Sequence, residues 1–236
     1  MKFDLHVHSV YSPDCATPVS KLAERYARSG FGGFALTDHA SMDGLAPLRS
    51  YVKEKKLPLE IIGACEFLSD RGEVIGLFIE EFIPARDFGE LCDAIHDQGG
   101  FVILPHPFDS VRRKICRPDL LPQDSLRHVD GLEVFNARSV FKADNAKAAA
   151  FASGHHLMRT AGSDAHFLFE AGRAWVDICE SEEPALALKK GRAEVGGRSA
   201  PFFVHGPTTV VKWLKRIGMI QKPAKDNPCD PRAHPI

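Results

Sequence analysis

The chain has 236 residues, of which 44% are hydrophobic and 26% charged, an ordinary globular balance that excludes a disordered or fibrous protein. Lys and Arg total 30 against 31 Asp and Glu, a formal net charge of -1, so no global charge marks a polyanionic partner. No apolar run approaches the roughly 18–20 residues of a membrane span, and Met1 to His6 lacks the apolar core of a secretory leader. Cys15, Cys65, Cys92, Cys116, Cys179 and Cys229 are scattered without C-x-x-C spacing. They are expected as free thiols, and the chain reads as cytoplasmic.

Short apolar runs predict strands over residues 2–6, 33–37, 60–64, 73–78, 101–104, 131–135, 157–161 and 174–178. Several are almost continuously apolar, as in parallel strands buried on both faces. Between them lie helical stretches. Thr17 is expected to cap the first, with Pro18 at its first turn, Leu22, Ala23 and Tyr26 on its apolar face, and Gly30 as its stop. Asp87 and Glu90 form a capping-box variant that opens a second, closed by Gly99 and Gly100. Alanine-rich residues 142–153 and residues 184–190 read as two more.

Alternation of strand and helix predicts an α/β fold with parallel pairing, closed as a barrel, with an open doubly wound sheet as the alternative. No glycine-rich phosphate loop follows any strand, which weakens that alternative. One barrel domain is expected over residues 1–218, followed by a mobile tail over 219–236 that is rich in proline and charge.

Chemistry-bearing residues gather at the strand ends. The first strand closes on His6-Val7-His8, two imidazoles on one face, with Asp14 a short turn beyond. Later strands close on Asp38-His39, Cys65-Glu66, His106 between Pro105 and Pro107, and Asp164-Ala165-His166. In an α/β barrel these ends form one rim, where active sites are built. Five histidines and several carboxylates on one mouth point to a metal site.

These motifs resemble the PHP (polymerase and histidinol phosphatase) family of metal-dependent phosphoesterases: Asp4-Leu5-His6-Val7-His8-Ser9, Thr37-Asp38-His39, Glu66, Pro105-His106-Pro107 and Gly162-Ser163-Asp164-Ala165-His166. Gly131-Leu132-Glu133-Val134-Phe135-Asn136 looks like the associated C-terminal part of stand-alone members. The resemblance covers roughly residues 2 to 215. It implies a distorted (β/α)7 barrel with two or three divalent ions, Mn²⁺, Fe²⁺ or Zn²⁺. By that resemblance His6, His8, Glu66 and Asp164 would hold one ion, Glu66 would bridge to a second with His106, and Asp14, His39 and His166 would hold a third. The second ion's remaining position, often histidine in the family, falls at Glu73, and some members carry histidine where Asp14 stands.

Ions about 3.5–4 Å apart lower the pKa of a bridging water and clamp phosphoryl oxygens. Asp38 is expected to orient a ligand histidine rather than to bind metal. Arg112, Arg113 and Arg138 follow the motifs closely and are candidates for holding substrate phosphate. His96, His128, His155, His156 and His234 are expected to have no role. The predicted function is hydrolysis of a phosphate ester on a small phosphorylated metabolite or nucleotide. A nuclease acting on oligonucleotides and a non-catalytic metal-stabilised binding module are the alternatives. No membrane or strong nucleic-acid partner is expected.

Overall fold

The computed structural model describes residues 1–201 and 204–220. The apolar runs become strands β1 (Lys2–Val7), β2 (Gly33–Leu36), β3 (Glu60–Ser69), β4 (Gly72–Leu77), β5 (Phe101–Leu104), β6 (Gly131–Asn136), β7 (Met158–Gly162), β8 (Ala174–Asp177) and β9 (Glu194–Gly197). Helices α1 (Val19–Arg28), α2 (Leu45–Glu54), α3 (Phe88–Asp97), α4 (Gln123–Leu126), α5 (Lys142–Gly154), α6 (Pro184–Lys189) and α7 (His205–Arg216) lie among the described residues, with a 3-10 turn at Pro118–Leu120.

The strands form one sheet in the order β7-β6-β5-β4-β3-β2-β1-β8-β9. The sheet curls round until the backbone of β1, which lies between β2 and β8, touches the chain leaving its end strand β7. Asp164 N donates to the His6 carbonyl at 2.7 Å and His8 N to the Ala165 carbonyl at 3.1 Å. Gly162 makes this approach possible, because a Cβ there would lie 2.1 Å from that of His6. The result is the expected distorted α/β barrel, nearly closed. Its interior is filled by Phe3, Leu5, Ala35, Ile62, Ile75, Leu77, Ile103 and Ala161, all buried.

Helices cover the outside. Along α1 the buried residues Val19, Leu22, Ala23 and Tyr26 recur at helical spacing and form one apolar face. Leu22 is fully buried, which contributes about 1.5–3 kcal/mol. Thr17 does not cap this helix. Pro18 holds the N-cap position without a side-chain bond, and the Thr17 hydroxyl instead donates to the His166 carbonyl at 3.2 Å. Asp87 does cap α3, accepting from Glu90 N at 3.0 Å.

Pairing departs from the expected parallel pattern in the middle of the barrel. β1, β2 and β3 are parallel, as are β5, β6 and β7. β4, however, is antiparallel to both β3 and β5. The third strand does not stop at Ala64. It runs on through buried Cys65, Glu66 and Phe67 and turns back at Asp70-Arg71 into a hairpin. A hairpin needs only a short turn where a parallel crossover needs a helix. The β4 strand therefore enters the barrel from the mouth. Helix α2 was not predicted, since Gly44 precedes it without a capping side chain and Pro47 sits in its first turn. Helix α7 and strand β9 were missed as well. From residue 221 the expected tail lies outside the described residues. The described cysteines are free, and Cys229 lies beyond them. No helix among the described residues is long and apolar enough to cross a membrane.

Candidate metal centre

Each strand that ends at the mouth delivers one or two ligand-type side chains. β1 brings His6, with His8 just beyond it. The two Nε2 atoms lie 3.1 Å apart, so both rings aim at one point. Asp164 Oδ1, from the segment after β7, lies 3.3 Å from His8 Nε2 and 3.7 Å from His6 Nε2. Glu66 projects from β3 into the middle of the group. Its Oε2 is 3.4 Å from both His6 and His8 and 3.1 Å from His39 Nδ1, while its Oε1 is 3.4 Å from His106 Nε2. Glu66 thus touches four imidazoles.

Glu73 reaches the mouth because β4 runs antiparallel, and its carboxylate lies 3.9 Å from His106 Nε2. On the other side Asp14 approaches His39 Nε2 at 3.5 Å and His166 Nε2 at 3.3 Å. The His8 ring lies against both, with centroids 4.5 Å from His39 and 4.4 Å from His166. All nine residues expected as metal ligands are therefore brought together. His106 and Asp164 carry positive φ angles of 32° and 53°, which L-residues seldom adopt and which cluster at functional sites.

Charge is finely divided among these groups. For His8, burial and the neighbouring His166 and His39 push the pKa down to about 3, leaving a neutral ring with a lone pair. Burial alone would also lower His39, but Glu66 and Asp14 outweigh it and raise it to about 9. Burial would raise Glu66, yet His39 and His6 hold it well below the usual carboxylate range. Glu73 shifts upward, through burial and the charge of Glu66. In the absence of a metal, protons on histidine balance the carboxylates.

Several atoms in this group nevertheless have no hydrogen-bond partner: Asp14 Oδ1, both Glu66 oxygens, both His106 nitrogens and Asp164 Oδ1, all buried. Each such atom costs roughly 1–3 kcal/mol if left unpaired, and native proteins rarely leave several together. Divalent cations would satisfy the carboxylate oxygens and His106 Nε2 at once, and a mixed imidazole and carboxylate set suits Zn²⁺, Mn²⁺ or Fe²⁺. The residues fit such ions.

A surrounding layer fixes the ligands. Among the described residues Asp38 makes no hydrogen bond to an imidazole. It accepts from Ser9 N and Ser9 Oγ, both at 2.6 Å, and from Ser12 Oγ at 2.7 Å. Ser12 Oγ is the atom that reaches His8 Nδ1, at 3.1 Å, and it accepts from His39 N at 3.0 Å. Asp38 thus orients His8 through Ser12.

The sequence reading missed Glu133. From β6 its Oε1 lies 3.0 Å from His6 Nδ1, and its Oε2 accepts from His106 N at 2.8 Å. Asn136 Nδ2 donates to Glu133 at 2.9 Å and to Asp164 Oδ2 at 3.2 Å. The signal available was a carboxylate in the otherwise apolar run of β6.

A cavity of about 710 Å³ opens over the cluster, lined on its far walls by Arg112, Arg113, Lys114, Arg138, Thr208, Thr209 and Lys212. Of the three candidate arginines, Arg112 is paired with Asp164 and lies 3.5 Å from Asp109. Arg113 is exposed at the rim. Arg138 is buried and engaged, 2.6 Å from His166 Nδ1, 2.6 Å from Thr208 Oγ1 and 3.3 Å from Glu170. A separate grouping of Asp93, His96 and His128 lies away from the mouth. His96 bonds Asp130 at 2.8 Å and His128 lies 3.2 Å from Asp93, so these rings already have partners.

Comparison with known proteins agrees with this geometry. Residues 4–150 match the PHP domain family and residues 142–193 the PHP-associated family. An uncharacterized protein of Methanocaldococcus jannaschii is 36% identical over 183 residues, 76% of this chain and 71% of that one. A second from the same organism is 32% identical over 148 residues, 58% of this chain and 82% of the other. A two-domain Bacteroides vulgatus protein containing a predicted PHP-like metal-dependent phosphoesterase superposes with a TM-score of 0.68 at 18% identity, over 89% of this chain and 69% of that one. An amidohydrolase from Chromobacterium violaceum, with bound sulfate and no metal, gives 0.63 at 17% identity, over 82% and 98%. At such identities the two structures show a shared fold.

Proposed function

The chain belongs to the PHP family, and from that premise we propose that it is a metal-dependent phosphoesterase releasing phosphate from a small phosphorylated metabolite or nucleotide. One observation carries the reading: imidazoles and carboxylates from different strands converge on one mouth and leave buried ligand atoms unpartnered. In this assignment His6, His8, Glu66 and Asp164 hold a first ion. Glu66, His106 and Glu73 hold a second, and Asp14, His39 and His166 a third.

Bound there, such ions supply positive charge to phosphoryl oxygens and lower the pKa of a coordinated water. The chain's own groups prepare the place. Glu133 fixes the proton of His6 on Nδ1 and so turns the Nε2 lone pair inward. Ser12 does the same for His8. Arg112 holds Asp164 by one oxygen and leaves Oδ1 facing the histidines. Arg113 and Lys114 on one wall and Lys212 on the other give the cavity a cationic lining, which suits an anionic substrate. A cavity of about 710 Å³ is the size of a small-molecule site.

The test is a screen of phosphate release from a panel of phosphomonoesters and diesters, with Mn²⁺, Fe²⁺ or Zn²⁺ added back to metal-stripped protein. Release from small monoesters that depends on added metal is expected. A preference for oligonucleotides would replace this reading with a nuclease. Ions bound without turnover of any ester would leave a binding module.

A further inference from the structure

Helix α7 lies beyond residue 193, where the family match ends, yet it is tied to the metal centre at two points. Near its start, Arg138 donates to the Val204 carbonyl at 3.2 Å and to Thr208 Oγ1 at 2.6 Å, while its other terminal nitrogen lies 2.6 Å from His166 Nδ1. In its last turn, Lys215 Nζ donates to the Val10 carbonyl at 2.5 Å and to the Ser12 carbonyl at 2.6 Å. Neither carbonyl receives a backbone N–H among the described residues.

Those two carbonyls flank Tyr11 in the loop between β1 and α1. Ser12 carries the hydroxyl that joins Asp38, His8 and the backbone of His39. Two residues on, Asp14 faces His39 and His166. Other bonds hold this loop as well: Ser9 and Ser12 reach Asp38, and Cys15 and Thr17 donate to the His166 carbonyl. Within it, Val10 N bonds the Thr17 carbonyl at 2.8 Å and Ser12 N the Ser9 carbonyl at 2.9 Å. Bonds from a charged donor are about twice as strong as neutral ones, and the Lys215 ammonium ties residues 10–12 to α7.

We infer that Lys215 is a positioning residue for the metal centre: from outside the family-matched region it gathers the Val10 and Ser12 carbonyls and so sets Ser12 against His8 and Asp14 against His39 and His166. The inference rests on the metal-centre reading proposed above. It assigns α7 to the working part of the molecule. The helix is then a wall of the site, with Thr208, Thr209 and Lys212 lining the cavity while Lys215 anchors it from the side.

The test compares wild type with Lys215→Met, which keeps the aliphatic stem, and Lys215→Arg, which keeps the donors. Arg216→Met serves as the control, since it removes a neighbouring exposed charge from the same turn. Each protein is loaded with Mn²⁺, dialysed against graded chelator and counted for metal per chain. Partners that orient a ligand typically change metal affinity by about 10–100-fold. Lys215→Met should therefore lose its most weakly held ion at roughly tenfold lower chelator, Lys215→Arg should recover most of that loss, and Arg216→Met should match wild type. Phosphate release by Lys215→Met should fall in kcat at limiting Mn²⁺ and return with excess Mn²⁺, which a general loss of packing would not allow.

Equal metal retention in Lys215→Met and wild type would overturn the inference while leaving the phosphoesterase reading intact. A wild type that holds no metal would overturn both. If Lys215→Met does not fold, Lys215→Leu, which likewise removes the donor, takes its place, and retention equal to wild type again overturns the inference.

Discussion

Glu66 is the residue on which the most contacts depend, with four imidazoles within 3.1–3.4 Å of its two oxygens. Replacing it with Gln keeps the shape but removes one charge and one acceptor shared by two proposed ions. Glu66→Gln should lower metal-dependent phosphate release by at least ~10²-fold. Glu60→Gln, at the exposed far end of the same strand, should leave it unchanged. Equal losses in both variants would point to the strand rather than to metal.

His39 makes a second prediction at this scale. Its pKa rises from 6.5 to about 9 because Glu66 and Asp14 outweigh burial. In metal-free protein its proton therefore contributes stability that is full below about pH 6.5 and lost as pH climbs through about 9. A metal ion must displace that same proton. Mn²⁺ affinity should rise with pH across this window, with proton release on binding. An affinity that is flat from pH 6.5 to 8.5 would contradict the placement of His39 among the ligands.

The clustering of the candidate ligands was legible because strand ends of an α/β barrel share one rim, so a histidine or carboxylate after most of the apolar runs already implied a common mouth. Glu133 was not legible in the same way. Its partner His6 lies 127 residues away, and only closure of β1 near β7 brings β6 to that ring. The role of Asp38 was half visible: its position beside His39 suggested support of a histidine, but the route through Ser12 depends on how the loop after β1 folds back.

Among the elements, the β3–β4 hairpin has the clearest consequence. It turns Glu73 from a residue at the start of a strand into one at the mouth. Gly72 permits the turn at φ +123°, where an added Cβ would lie 2.6 Å from the backbone of Ile115 and Cys116. Gly72→Ala should destabilise the fold by more than about 1 kcal/mol and weaken the ion nearest Glu73. Urea unfolding and metal counting check the two effects, and an unchanged midpoint would show that the turn tolerates a side chain. Alternating runs revealed the strands but not this reversal, because apolar patterning reports burial and carries no direction. Helices that start without a capping side chain, such as α2 and α7, left little local signal of where they begin.

At the scale of the whole molecule, near-neutral charge and the cavity over the cluster support the proposed compact anionic substrate. Contact with one or two phosphates releases few counterions, so KM for a mononucleotide should change by less than ~10-fold between roughly 50 and 200 mM salt. A surface making 6–10 phosphate contacts would lose about 10³–10⁵ in affinity over that range. A steep salt dependence with an oligonucleotide as the better substrate would contradict the small-substrate reading.

The claim on which all of this turns is that the mouth of the barrel is a multi-ion centre, and elemental analysis of protein purified without chelator measures it directly. At least two transition-metal ions per chain are expected, falling by at least one in Glu66→Gln and staying at the wild-type level in Glu60→Gln. Protein that releases phosphate at full rate while carrying no metal would contradict the account.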